Sequence, residues 1–215
     1  MRLVSREARW GLTLRGAVVG LVLLFCFFVG AGWGAHRFFA VSSPVASDLL
    51  VVEGWVPDYA IRVAATEFTR GQYRLILSTG GPVQGMGGYV NDYSTAANIG
   101  AARLRATGLA PELVRSVPSR TFNRDRTYGS ALALKTWLAT HAPSTARIMV
   151  MTTDVHARRT RLLFQMALGP GISVGIVAIH NPDYDANRWW QYSEGVRDVL
   201  GEIIAYTYAK LFFWP

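Results

Sequence analysis

Three observations predict an α/β fold: a mainly parallel sheet with helices on both faces, a three-layer sandwich preceded by one N-terminal transmembrane helix. Short apolar runs at 48–52, 74–78, 148–150 and 173–178, with a short strand at 113–117, alternate with segments of helical length and period. Such alternation implies crossover helices that bury an apolar stripe against each side of the sheet. Residues 16–35 contain no charged side chain, about the length that crosses a bilayer as a helix. Cap and turn residues gather where the runs end, at the edge where open α/β sheets bind ligands.

The chain of 215 residues has room for one sizeable domain and an anchor. Its net charge of +8 owes much to Arg2, Arg6, Arg9 and Arg15, which precede the apolar segment. The excess therefore belongs to a membrane flank, and no nucleic-acid-binding motif accompanies it. After the segment Arg37 stands alone until Arg62, so the positive-inside rule places the basic N-terminus, 1–15, in the cytoplasm. The span is then 16–35, a linker 36–47 and the α/β domain 48–215, outside the cytoplasm on the plasma (inner) membrane. Trp10, Trp33, Phe38 and Phe39 are candidates for the interface. A cleaved signal peptide ending near Gly32-Trp-Gly34 is the competing reading and exports the same domain. The single cysteine, Cys26, lies in the span, which fits an oxidising compartment for the rest.

Within the domain, the run at 48–52 ends at Glu53-Gly54-Trp55 and is followed by a helix over 60–69. The run at 74–78 leads into the glycine-rich loop Thr79-Gly-Gly-Pro-Val-Gln-Gly-Met-Gly-Gly88, then a helix over 93–107. Gly80 and Gly81 would let backbone N–H groups approach a phosphate or carboxylate, although the loop has neither dinucleotide-binding spacing nor a Walker lysine. After 113–117, the stretch Pro118-Ser-Arg-Thr-Phe-Asn-Arg-Asp-Arg-Thr127 opens a helix reaching about Thr140. Arg120, Arg124 and Arg126, with Thr121, Asn123 and Thr127, concentrate anion-binding groups at that helix start. Asp125 as an N-cap is the plainer alternative.

The central stretch is Val150-Met-Thr-Thr-Asp-Val-His-Ala-Arg-Arg-Thr-Arg161, a strand running into the first turns of a helix. Thr152, Thr153 and Asp154 are N-cap types, and Leu162, Leu163, Phe164 and Met166 follow at helical spacing. His156 and Arg159, three apart, share nearly one face and can both reach a ligand above the strand ends. The helix dipole there favours an anion and opposes protonation of His156, fitting it for a neutral base or hydrogen-bond partner. A capping Asp154 with solvated arginines is the alternative. Beyond it, His180, Asp183 and Asp185 show no compact metal-ligand pattern, and Trp189-Trp190 reads as a packing cap more than a sugar platform. The final helix, 193–212, turns Val196, Val199, Leu200, Ile203 and Ile204 inward, with Glu202 paired inside or facing solvent.

The ordered set Leu49-Leu-Val-Val-Glu-Gly54, Leu77-Ser-Thr-Gly-Gly81, Arg126-Thr-Tyr-Gly-Ser-Ala131 and Val150-Met-Thr-Thr-Asp-Val-His-Ala-Arg-Arg-Thr160 resembles the SanA/YdcF-like family, which includes ElyC. The resemblance covers roughly residues 48–178. It implies a Rossmann-like fold and ligand-site roles for Gly80, Gly81, Thr127, His156 and Arg159. The family commonly carries an acid where this chain has Ser94 and Thr95, and Asn-Thr-x-Glu-Asn-Ala where it has Arg126-Thr-Tyr-Gly-Ser-Ala131. A more basic site follows. Anchored members are associated with the cell envelope, peptidoglycan and its lipid carrier, some soluble members with S-adenosylmethionine.

The combined expectation is a membrane-anchored protein of envelope polysaccharide or peptidoglycan biogenesis. It would bind an anionic glycan or a lipid-linked phosphate intermediate. Arg126 and Arg159 would hold the anion, Gly80 and Gly81 supply backbone donors, Thr127 and Asp154 complete the ligand set, and His156 act as hydrogen-bond partner or general base. No nucleophile, metal set or paired acid marks a reaction, and no motif names a cofactor. The alternatives are a non-catalytic scaffold or regulator of an envelope complex, or an S-adenosylmethionine or nucleotide binder if the domain is cytoplasmic.

Overall fold

The computed structural model describes residues 14–84, 90–120 and 125–215, without the side chains at 27–29, 31, 84 and 90–94. Expectations placed on Arg2, Arg6, Arg9, Trp10, Thr121, Asn123, Arg124 and the loop centre at 85–89 fall outside that set. The chain divides into two units, Met1–Ala35 and His36–Pro215.

In the first unit, helix α1 (Leu14–Phe39) contains the residues expected to span a membrane and continues past them. Val18, Val19, Leu21, Val22, Leu23, Leu24 and Phe25 are all more than half exposed. Seven positions within eight cover every direction around a helix. Among the described residues, no helix is long and apolar enough to cross a membrane.

The second unit is the α/β domain. Strands β1 (Leu49–Glu53), β2 (Leu75–Gly80), β5 (Val114–Pro118), β6 (Arg147–Thr153) and β7 (Ser173–Ile179) form a five-stranded sheet in the order β5-β2-β1-β6-β7. Every pairing in it is parallel. Numbered within the sheet this is the Rossmann-like order 3-2-1-4-5, whose direction of winding reverses beside β1. A ligand crevice is expected there, between the carboxyl ends of β1 and β6.

Because side chains alternate across a strand, the sheet carries two cores. Leu49, Val51, Leu77 and Val150 face α4 (Arg126–His141) and α5 (Ala157–Leu168), where Leu134, Leu138 and Phe164 meet them. Leu50, Val52, Ile76 and Met151 face α2 (Asp58–Arg70) and α3 (Ala96–Ala106), against Ile61, Ala64, Phe68 and Leu104. All five residues of β1 are buried, each large apolar one being worth roughly 1.5–3 kcal/mol relative to exposure. Helix α6 (Ser193–Leu211) packs against α5.

Three local expectations change. The segment after the glycine loop is an antiparallel ribbon, β3 (Pro82–Gln84) with β4 (Val90–Thr95), so α3 starts at Ala96 rather than 93. Thr95 is its N-cap, accepting from Asn98 N at 3.1 Å. The expected linker 36–47 is built into the domain. His36 and Phe39 are buried, Ser43 bridges to Ile176, and Ser42 Oγ accepts from Ala178 N. Unpaired edge backbone on β7 thereby gains partners that a free linker would leave to water. Phe39, expected at a membrane interface, is 5% exposed and packed in the domain, while Phe38 lies under Arg158 with its ring centroid 3.9 Å from Cζ.

Candidate functional site

Two features of the sheet's carboxyl edge shape the site. The first is the close approach of α3. A Cβ on Gly54 would lie 2.0 Å from Ala96 O, one on Gly100 2.5 Å from Gly54 Cα, and one on Gly80 2.6 Å from Ala96 Cβ. No side chain fits at such distances, so these glycines allow helix and strand ends to touch. Gly80 and Gly81 accept backbone hydrogen bonds from Ser119 N and Ala96 N. Their first role is packing, and what they present to a ligand is main chain.

The second feature lies on the opposite face of the sheet, where a cavity of about 480 Å³ opens over the ends of β1 and β2 and the starts of α4 and α5. Gly80, Gly81, Arg126, Thr127, His156 and Arg159 all line it. The structure also brings in Glu53, Trp55, Asp125 and Ser130, and an apolar wall of Leu163, Ala205, Tyr208, Ala209 and Phe213. Arg126 and Thr127 occupy the first turn of α4, whose unpaired N–H groups favour an anion. Asp125 precedes them with left-handed backbone, φ 54°, and makes no side-chain cap.

Glu202, on the inner side of α6, organises the floor. Its Oε2 accepts from Arg159 Nε at 2.9 Å and its Oε1 from Arg159 Nη2 at 2.8 Å, a two-pronged pair. The same Oε1 lies 2.5 Å from His156 Nδ1. Burial alone would raise the Glu202 pKa, but the hydrogen bonds from Arg159 and His156 outweigh it and hold it at about 2 instead of 4.5. Arg159 shows the reciprocal balance: burial disfavours its charge, and Glu202 more than restores it, leaving the pKa raised. Since Glu202 stays ionised and a carboxylate only accepts, Nδ1 donates in that contact. Arg159 Nη2 stands 2.9 Å from Nδ1 and 3.3 Å from Nε2. Two such similar distances describe a guanidinium against the ring more than a bond to one nitrogen. Trp55 meets the imidazole edge-on at 4.9 Å.

Glu53 ends β1 at 2% exposure, its Oε2 accepting from Thr160 Oγ1 at 3.0 Å and lying 4.0 Å from His156 Nε2. A ligand hydroxyl or water seated beside that pair could contact both atoms. The site can thus orient one imidazole, offer a carboxylate beside it, and present Arg126 at the rim.

The expected residues divide into three groups. Arg126, Thr127 and His156 are free to meet a ligand. Arg159 lines the cavity but is engaged by Glu202, so it orients His156 more than it binds. Asp154 stands apart from the cavity. It is 4% exposed with φ 36°, its Oδ1 is 2.9 Å from His36 Nε2, and its Oδ2 accepts from Asn181 N at 3.3 Å. The His36 contact has ion-pair distance without hydrogen-bond alignment. Asp154 is therefore a structural carboxylate fixing the turn that presents His156. His156 itself lies in a 3-10 turn, Asp154–His156, immediately before α5. Arg120 is exposed and does not line the cavity. Asp183, Asp185 and His180 are exposed, and Asp185 caps Asn187 N at 2.9 Å. Among the described residues no group of three or more His, Cys, Asp or Glu could hold a metal ion. Trp189 is buried and Trp190 is 39% exposed.

Glu53 and Glu202 had a sequence signal: one is an acid ending a wholly apolar strand, the other an acid three residues after the buried Val199. A carboxylate in either place needs a buried partner. The chain matches no family model, no curated protein and no solved structure.

Proposed function

We propose that this is a membrane-anchored, extracytoplasmic SanA/YdcF-like protein of cell-envelope peptidoglycan or polysaccharide biogenesis. Its cavity binds an anionic glycan or a lipid-linked phosphate intermediate. The observation carrying the reading is the two-sided cavity. Arg126 and the α4 N-terminus favour an anion, His156 oriented by Glu202 offers a base, and Trp55, Tyr208 and Phe213 offer apolar surface. Hydrolysis or transfer at a phosphate or glycosidic linkage is the chemistry that suits an oriented His156 beside Glu53.

The anchor rests on the uncharged sequence 16–35, which includes Phe27, Phe28 and Val29. It is supported by the apolar side chains that α1 exposes in every direction, since a helix apolar all round is stable only when buried or in lipid. A periplasm-active reporter fused after Pro215 should be active, and one active only in the cytoplasm silent; the reverse result overturns the topology.

Mass spectrometry of small molecules and lipids retained by the purified full chain tests the ligand, with a folded His156→Ala/Arg159→Ala variant beside it. A phosphate-bearing glycan or lipid retained only by the native protein supports the site. Equal retention by both, or none by either, rejects it and favours a scaffold acting through a protein partner.

A further inference from the structure

Helix α6 is apolar on two sides. Its inner side buries Gly195, Val199, Glu202 and Ala209 against the domain. Leu200, Ile204 and Leu211 recur at intervals of four and seven, which places them on one face, with Tyr208 at the edge of that face where it also lines the cavity. That face looks outward, with exposures of 48%, 72%, 60% and, for Tyr208, 42%, and is continued by Phe212 at 66% and Trp214 at 87%. The expectation that Leu200 and Ile204 point inward is thereby reversed.

We propose that this outward face of α6 docks on the phospholipid surface to which residues 16–35 tether the chain. The inference rests on the anchor reading above. Charge is sorted in the way such a surface requires. The acids Glu194, Asp198 and Glu202 form a separate row four residues apart, and Glu202 is buried. Arg197 and Lys210 are the exposed basic residues, with Arg197 reaching toward Asp198 at 3.6 Å. Apolar and aromatic side chains bordered by basic ones suit the boundary between headgroups and acyl chains.

The route of the chain within the domain adds to this. Residues His36 to Phe39 are already domain structure. Phe38 and Phe39 lie against α6, their ring centroids 5.9 and 5.6 Å from that of Tyr206. The domain begins at His36, next in sequence to the apolar segment, and α6 is about 28 Å long at 1.5 Å per residue. Its apolar row is held within one helix length of the point where the chain enters the domain, at high effective concentration of bilayer surface.

Spin-label accessibility tests the docking in the full chain carrying Cys26→Ser. Ile204→Cys and Leu211→Cys receive nitroxides, with exposed Glu112→Cys as the reference, in vesicles of phosphatidylcholine and phosphatidylglycerol. The expected result is several-fold greater collision with oxygen and several-fold less with a water-soluble nickel complex at 204 and 211 than at 112. Adding Ile204→Glu should return the label at 211 to the water-exposed pattern. Labels at 204 and 211 that match 112 while the protein floats with the vesicles overturn the docking and spare the anchor. Protein that fails to float overturns the anchor and this inference with it. Broadening at 204 that grows with protein density identifies a second copy as the occupant and overturns the bilayer.

Discussion

Glu53 and Gly54 are neighbours at the end of β1, yet they belong to two corners built on different physics. On the α3 side Gly54, Gly80 and Gly100 remove every side chain so that backbones can touch. On the α5 side Glu53, His156, Arg159 and Glu202 place charge on charge in a cavity. The glycine corner has the look of a phosphate loop and is explained by packing. The charged corner is hard to justify by packing, because buried ion pairs seldom stabilise more than an apolar core of the same shape. Costly polar groups that converge on a cavity are the better pointer to function.

The largest test of that contrast removes the hub of the charged corner. Glu202→Ala leaves Arg159 charged, buried and unpaired, and should cost about 3–5 kcal/mol in denaturant unfolding. Glu202→Gln should show the pH signature. A carboxylate held at about 2 when folded and near 4.5 when unfolded contributes stability fully present above pH 4.5 and lost as pH falls toward 2. That gap corresponds to roughly 3 kcal/mol. The wild type should therefore lose stability over this range more steeply than Glu202→Gln; parallel pH profiles would show that the ion pair is not what holds the corner.

Gly54→Ala probes the other corner. Its Cβ would meet the backbone oxygen of Ala96 at 2.0 Å, and a carbonyl in the first turn of α3 cannot step aside as a flexible side chain could. The cost should reach about 3 kcal/mol, the upper end of overpacking effects, or a fall of about 6–12 °C in Tm for a chain of this size. No pH dependence should accompany it. A variant as stable as wild type would show that the close approach of α3 is not what requires glycine at 54.

How far the sequence carried the reading depends on how far apart the interacting residues are. Four of the five main strands were legible as apolar runs that are mostly buried, whereas β5, with Arg115 and Ser116 between Val114 and Val117, was legible from its place between two helices. His156 and Arg159 were legible because three residues on a helix start is a local relation. Their partner Glu202 lies 46 residues beyond His156, and Thr160 meets Glu53 across 107. No spacing rule spans such distances, so Arg159 looked free when it is engaged. The β3–β4 ribbon was missed because its polar residues mimic a loop and the start of a helix. In α6, apolar residues on two faces made the periodicity ambiguous, and Leu200 and Ile204 were placed on the wrong one.

Asp154 comes below both corners in cost and belongs to neither. It fixes the turn before His156 through His36 and Asn181 and holds left-handed backbone that Asn tolerates and Ala does not. Asp154→Ala should lose about 2–3 kcal/mol from the unpaired partners and the backbone together. Asp154→Asn should lose about 1 kcal/mol. Equal losses in thermal unfolding would remove the backbone part of this account.

Arg126→Ala should change stability least and sharpens the comparison most. Arg126 is exposed at the rim, and among the described residues no carboxylate pairs with it. Truncating an exposed, unpaired side chain should shift unfolding by no more than about 0.5 kcal/mol. The same truncation removes the one lining cation among the described residues that is not engaged by Glu202, and a lost charge-assisted hydrogen bond of about 1.5 kcal/mol weakens binding roughly tenfold. A phosphate-bearing ligand titrated into both proteins should therefore separate them strongly in affinity and hardly at all in Tm. Glu202→Ala damages both quantities and Gly54→Ala chiefly stability, so only Arg126 isolates recognition from folding. Unchanged affinity in Arg126→Ala would transfer the anion to the backbone of Gly81 and α4, making main chain rather than arginine the recognition surface.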